Sequence, residues 1–107
     1  MNKSIQEAAN NIDIKNIAMA IYLATGIKLD DIAKKSRKRY LFYLRLILVK
    51  HCNNAGLTRR DILFIICRDK SKILYYEKKY NDEICYNPAF RRIVQEVDKH
   101  LKEQITA

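Results

Sequence analysis

The side chains to weigh first for catalysis are two histidines, His51 and His100, and three cysteines, Cys52, Cys67 and Cys85. Their spacing forms no Cys-His, Ser-His-Asp or HExxH signature. An odd number of cysteines without metal-site spacing reads as reduced, buried thiols. No GxxxxGK[ST] loop is present to cradle a nucleotide's phosphates. No enzyme activity, metal or cofactor is therefore expected. The residues whose spacing does point to chemistry are cations. Lys34 to Arg39 reads KKSRKR, five like charges in six residues, and such a run gains from having phosphates nearby. Leu57 to Tyr76 reads LTRRDILFIICRDKSKILYY, two short amphipathic segments broken near Cys67-Arg68, the layout of a helix-turn-helix.

These two stretches sit in one strongly basic segment. From Lys34 to Lys72 there are twelve Lys or Arg and only two acids, Asp61 and Asp69, a net of +10. The remainder has nine basic and ten acidic side chains, so the whole charge of +9 is concentrated in this segment. A basic segment inside a neutral frame is an electrostatic footprint for a polyanion. In the arrangement this implies, the second helix of the motif lies in the major groove of duplex DNA. Lys34, Lys35, Lys38 and Arg39 would neutralise phosphates and release counterions. Arg37 would enter a narrow minor groove, where negative potential is focused. Lys70 and Lys72 would donate to guanine O6 and N7, and Asp69 would accept from cytosine N4. Thr58, Arg59 and Arg60 open the first helix, which crosses the backbone. Asp69 reads equally well as a helix N-cap, and Ser71 as a hydroxyl bonded within the helix. Tyr75 and Tyr76 read as packing residues before base contacts.

The frame that must position these residues reads as helical. The chain has 107 residues, enough for one domain with a modest core. Its 49% apolar and 31% charged composition fits a globular protein, and two glycines with one proline are too few for the turns of an all-β fold. Residues 1–11 are polar and read as frayed or partly helical. Asp13 is positioned to cap a first helix that buries Ile14, Ile17, Ala18 and Ile21 and ends at Gly26. Ile27 to Ala33 reads as a short second helix with Leu29 and Ile32 inward. Tyr40 to Val49, YLFYLRLILV, is apolar enough for a buried strand, but no partner strand is visible and a central helix is the better reading. Leu41, Leu44 and Leu48 share one side of it, and Arg45 breaks the run and is expected at the surface. Thr58 with Asp61 fits a capping box. Ile62, Ile65 and Ile66, then Ile73 and Leu74, anchor the two helices of the motif. Asn81 to Asn87 reads as a polar link. Asn87 then caps a last helix, with Pro88 at its first position. Phe90, Ile93, Val94, Val97 and Leu101 form its apolar stripe, which closes the core or, alternatively, pairs with a protein partner or a second copy. The expectation is an all-α, compact bundle of five to six helices containing a helix-turn-helix.

Taken together, these residues resemble the C-terminal DNA-binding domain of the bacterial replication initiator DnaA. The likeness runs from about Ile14 to Tyr80. It rests on GIKLDDIAKKSRKR, Gly26 to Arg39, followed at a suitable distance by Arg45, and on LTRRDILFIICRDKSKILYY. The family signature reads Arg-Asp-His, then Ser or Thr, then Thr-Val, with His or Tyr shortly after. Arg68, Asp69, Lys70, Ser71, Lys72, Ile73, Leu74 and Tyr75 occupy those positions without a gap. The resemblance implies the helical fold shared with the Trp repressor. It implies Arg37 in the minor groove and Asp69, Lys70 and Lys72 at base edges or phosphates, with Ser71 at a position that usually carries a hydroxyl. The departures are Cys67 for a usual turn glycine, Lys70 for the family histidine and Lys72 for its second threonine. A lysine is a less directional donor than an imidazole or a hydroxyl, so a different or weaker sequence preference is implied. The ATP-binding domain of the initiator has no counterpart here, and residues 87–104 extend beyond the matched part. No apolar run approaches the roughly 20 residues of a membrane span, and the first residues lack the apolar core of a signal peptide. A cytoplasmic, duplex-DNA-binding domain in replication or its control is the leading expectation. A helical protein-interaction or adaptor domain is the alternative.

Overall fold

A computed structural model of the chain describes residues 12–33, 38–58, 60–62 and 72–106. The described residues are helical between short turns, with no strand among them. The chain is an all-α bundle. Its radius of gyration is 12.9 Å, close to the roughly 13 Å expected of a folded chain this long.

Helix α1, Ile12–Thr25, buries Ile14, Ile17, Ala20 and Ile21. Ala18, expected on the buried face, is half-buried, and Ala20 takes the central place. The helix stops where expected. Gly26 adopts φ +76°, and its amide donates to the Tyr22 carbonyl at 2.7 Å. This left-handed conformation is cheap only for glycine. The Thr25 hydroxyl donates to Ile21 O at 2.7 Å and accepts from the Ile27 amide at 3.2 Å, which sets the turn into the next element.

Helix α2, Leu29–Ala33, begins two residues later than the expected Ile27. Asp30 and Asp31 occupy its first turn, where the helix dipole favours negative charge. Ile32 is fully buried.

Helix α3, Arg39–Asn54, resolves the ambiguous apolar run as a helix. Six consecutive residues, Leu44 to Val49, are buried. Burial all round its circumference requires neighbours on every side, and α1, α2 and α4 all pack on it. Its C-terminus closes with two crossed backbone bonds. The Gly56 amide donates to Asn53 O at 3.1 Å and the Leu57 amide to Cys52 O at 3.1 Å, with Gly56 at φ +86°. This is the Schellman arrangement, and Leu57 packs against the core beyond it.

Helical structure resumes at residues 60–62. The Asp61 amide donates to Thr58 Oγ1 at 3.2 Å, the first half of the expected capping box, and Ile62 is buried. Ile65 and Ile66 lie outside the described residues.

Helix α4, Lys72–Tyr86, runs straight through the segment read as a polar link. Ile73 and Tyr76 are buried, and Tyr80 and Ile84 are packed against the core. That stripe keeps its three-to-four-residue spacing past Asn81 and Asp82, which occupy the exposed side. The polar residues belong to one face, and they do not end the helix.

Asn87 forms the corner. Its Oδ1 accepts from the Phe90 amide at 3.1 Å, capping the last helix as expected. Its Nδ2 donates to Tyr43 Oη at 2.9 Å and to Glu83 Oε2 at 2.7 Å. One side chain thus joins α3, α4 and the following helix α5, Pro88–Thr106. Phe90, Val94 and Val97 of α5 are buried and Ile93 and Leu101 packed beside them, and the chief neighbour of α5 is α1. The apolar stripe of α5 is occupied within the chain. Edge-on ring contacts of Phe90 with Tyr43 (5.3 Å between centroids) and Tyr80 (5.5 Å) fix the junction.

Candidate nucleic-acid interface

The basic run is held at both ends. Upstream, α2 ends at Ala33; downstream, α3 begins at Arg39, with Lys38 as its N-cap residue. Lys38 and Arg39 are exposed. No side chain caps this helix start, and its first turn carries no acid. Backbone amides of the first turn point outward with the positive end of the dipole, beside two cations. An anion is the complement to that arrangement. Lys34, Lys35 and Arg37 lie outside the described residues.

Arg45 is not a surface residue. It is 3% exposed, and its Nε donates to the carbonyl of Ile32 at 2.8 Å. Ile32 belongs to the last turn of α2, where carbonyls lack intrahelical donors and carry the negative end of the dipole. A buried guanidinium therefore ties α2 to the middle of α3 and fixes the two anchors of the basic run relative to each other. The apolar neighbours on both sides of Arg45 signalled burial in a way that its charge concealed. Its place is inside the fold.

In the segment expected to form a helix-turn-helix, Arg60 is exposed in the helical turn at 60–62. Thr58 is exposed, with its hydroxyl oxygen turned to the Asp61 amide. Asp61 is nearly buried. Arg59, Arg68, Asp69, Lys70 and Ser71 lie outside the described residues, and Lys72 begins α4. Downstream, Ile73 and Tyr76 anchor the start of α4 to the core, leaving Leu74 and Tyr75 on the outer side. Tyr76 is a packing residue, as read. Tyr75 is 44% exposed and leans on Phe42 of α3, 6.2 Å between ring centroids.

The described cations of the +10 segment thus divide. Lys38, Arg39 and Arg60 face solvent, Arg45 is internal, and Lys50 lies over the ring of Tyr80 at 5.5 Å. Two further side chains join this side of the molecule that sequence reasoning passed over. Lys79 and Tyr86 of α4 line a groove together with Arg39. The sequence signal available for Lys79 was its place four residues after Tyr75, the spacing of one helical face.

A pair of titratable groups joins two of the helices. His51 Nε2 of α3 lies 2.9 Å from Asp98 Oδ1 of α5. Burial lowers the His51 pKa below its usual value; the Asp98 carboxylate pulls the other way and Lys50 adds to the lowering. Tyr80 is raised, by burial first and then by Asp98. Cys52 is buried, and that burial, with Asp13 nearby, pushes its thiol up to about 12. Cys85 is exposed, against the expectation of buried thiols, and Cys67 lies outside the described residues. Among the described residues no three His, Cys, Asp or Glu side chains gather where a metal could be held. No helix among them is long and apolar enough to cross a membrane. Comparison of the chain with protein families, with curated proteins and with solved structures gives no match.

Proposed function

We propose that this chain is a double-stranded DNA-binding module. A basic loop, residues 34–39, grips the backbone and the neighbouring minor groove, and the helix-turn-helix of residues 57–80 enters the major groove. The observation that carries this reading is the segregation of charge: all of the net positive charge lies between Lys34 and Lys72, in a chain whose remainder is nearly neutral. The helical frame is compatible with it. Arg45 braces the helices on either side of the basic loop, and Lys38 and Arg39 present positive charge at an uncapped helix start. The resemblance to the DNA-binding domain of the bacterial replication initiator supports replication or its control as the process, in the cytoplasm.

The roles divide by position. Lys34, Lys35, Lys38 and Arg39 contact phosphates; Arg37 reads the minor groove; Thr58, Arg59, Arg60 and Arg68 position the motif on the backbone; and Asp69, Lys70, Ser71 and Lys72 face the bases. Arg37→Ala costs about 1–3 kcal/mol of binding and flattens sequence preference, while Lys35→Ala weakens all sequences alike. The test is selection of bound duplexes from a random library, then titration of both variants over a salt series. Affinity falls steeply with salt if phosphates are contacted. Equal, sequence-independent losses in the two variants would refute the division of labour.

A second reading has its own observation. Helix α1 exposes four large apolar side chains, Ile12, Met19, Tyr22 and Leu23, beside its polar Asp13 and Lys15. Exposed apolar side chains gathered on one helix mark interaction surfaces, which favours a helical protein-interaction domain. Absence of duplex binding at low salt would decide for that reading.

A further inference from the structure

A hollow of about 530 Å³ opens between the outer side of α1 and the start of α2. Its floor belongs to the fold: Ile14 is buried, and Ala18 and Leu29 are half-buried. Its walls are open. Met19 and Tyr22 are exposed, and so are Lys15 and Lys28, which complete the lining. Among the described residues neither ammonium has an acidic partner. The apolar surface continues past the hollow. Ile12 and Leu23 are exposed as well, and with Met19 they keep the seven- and four-residue steps of one helical side. Ile12 and Leu23 lie about 16 Å apart along the helix axis, at 1.5 Å per residue.

What covers this face is indicated by its charge and its shape. The two charged side chains in the lining are both lysines. The acids nearest in sequence lie elsewhere: Asp13 lines a separate hollow with Asn16 and His51, and Asp30 and Asp31 stand in the first turn of α2 without lining this one. A second copy docked through the same face would set lysine against lysine. A lipid surface receives a convex apolar face, and this lining is concave. A small ligand in the hollow would leave Ile12 and Leu23 uncovered. An apolar ridge flanked by carboxylates satisfies the floor, the walls and the two lysines together, and an amphipathic helix presents such a ridge over the same length. We propose that the outer side of α1, with the start of α2, docks an acidic amphipathic helix of a partner protein. Its apolar ridge lies on Met19, Tyr22 and Leu29, and its carboxylates lie beside Lys15 and Lys28. The unbranched, polarizable chain of Met19 adapts to such a ridge. The proposal rests on the protein-interaction reading of α1 and supplies the chemistry of its partner. None of its residues lies between Lys34 and Lys72, so duplex binding is neither required nor excluded.

The test is selection from a displayed library of amphipathic helices. Their apolar stripe is fixed as leucine, and the flanking positions are drawn from Glu, Gln and Lys. The bait is the full chain, with Met19→Glu as the counter-selection. Enriched helices are expected to carry glutamate at the flanks. A synthetic copy of the most enriched helix is then titrated. The double variant Lys15→Glu, Lys28→Glu is expected to bind it roughly tenfold more weakly, as two exposed attractions turned to repulsions do. A helix with its flanking glutamates changed to lysine recovers that loss on the double variant, which a misfolded chain could not produce. Unfolding midpoints check that each variant folds. The acidic partner is refuted, and the interaction reading stands, if enriched helices show no excess of glutamate or if the charge exchange does not restore binding. Both are refuted if no helix is enriched over the counter-selection and phosphatidylglycerol vesicles bind the parent but not Met19→Glu, which assigns the face to lipid. A parent dimer in sedimentation that Met19→Glu dissociates assigns the face to a second copy and likewise overturns the acidic partner.

Discussion

Arg45 offers the sharpest test of the structural reasoning, because sequence and structure give it opposite roles. As a surface cation it would contact phosphate, and its removal would leave the fold intact. As a buried brace, 3% exposed and bonded to Ile32 O at 2.8 Å, it holds α2 against α3. Arg45→Ala removes two buried methylenes, about 0.8 kcal/mol each. It also leaves the Ile32 carbonyl without its buried donor, about 1–3 kcal/mol. The expected loss is therefore about 2.5–4.5 kcal/mol, a large share of the roughly 5–15 kcal/mol by which such a domain is stable. Relief from holding a charge out of water offsets part of this, and Arg45→Met isolates it. Methionine keeps the buried chain and removes the charge, so that variant loses about 1–3 kcal/mol, the cost of the orphaned carbonyl. Denaturant unfolding followed by helical dichroism measures both. A shift in midpoint at constant slope reports stability. Should Arg45→Ala unfold at the parent's midpoint while binding duplex DNA more weakly, the brace would be refuted and the surface role restored.

Two further outcomes follow from the environments of titratable groups. Cys52, buried with its thiol pushed up to about 12, resists alkylation at pH 8 in the folded chain, whereas exposed Cys85 reacts; mass mapping of modified positions checks this, and modification of Cys52 before unfolding would contradict it. His51 is held below its usual pKa of 6.5, by burial above all, against the pull of Asp98. Above 6.5 it is neutral folded and unfolded, and it contributes no pH dependence. As pH falls below 6.5 the unfolded chain takes up the proton first, so stability is lost until the lowered folded pKa is passed. Unfolding midpoints from pH 8 to 5, compared with His51→Gln, isolate the effect; a parent that gains stability relative to the variant on acidification would show the opposite shift.

The fold was largely legible because its signals are local and repeated. The stripes of α1 and α5, the Gly26 stop and the Asn87 cap before Pro88 each combine an apolar spacing with a residue suited to a helix end. Two of the departures come from polar residues whose type conceals their place in a helix. Asn81 to Asn87 looks like a link because its residues are polar, yet polarity on one face is what a surface helix requires, and Ile84 continues the inward row of Ile73, Tyr76 and Tyr80. The charge of Arg45 argues for the surface, yet six consecutive buried residues leave a helix no outer side there, and the open carbonyls of α2 supply a partner that lies thirteen residues away. The same limit applies to the groove beside α4. Arg39 and Tyr86 are separated by most of a helix pair, and no spacing rule joins them; only the crossing of α3 and α4 does. Charge could therefore be assigned to a segment from sequence, but the side of the molecule it serves depends on how helices cross. That crossing divides the basic segment itself, leaving Lys38, Arg39 and Arg60 facing solvent while Arg45 and Lys50 hold the helices that present them.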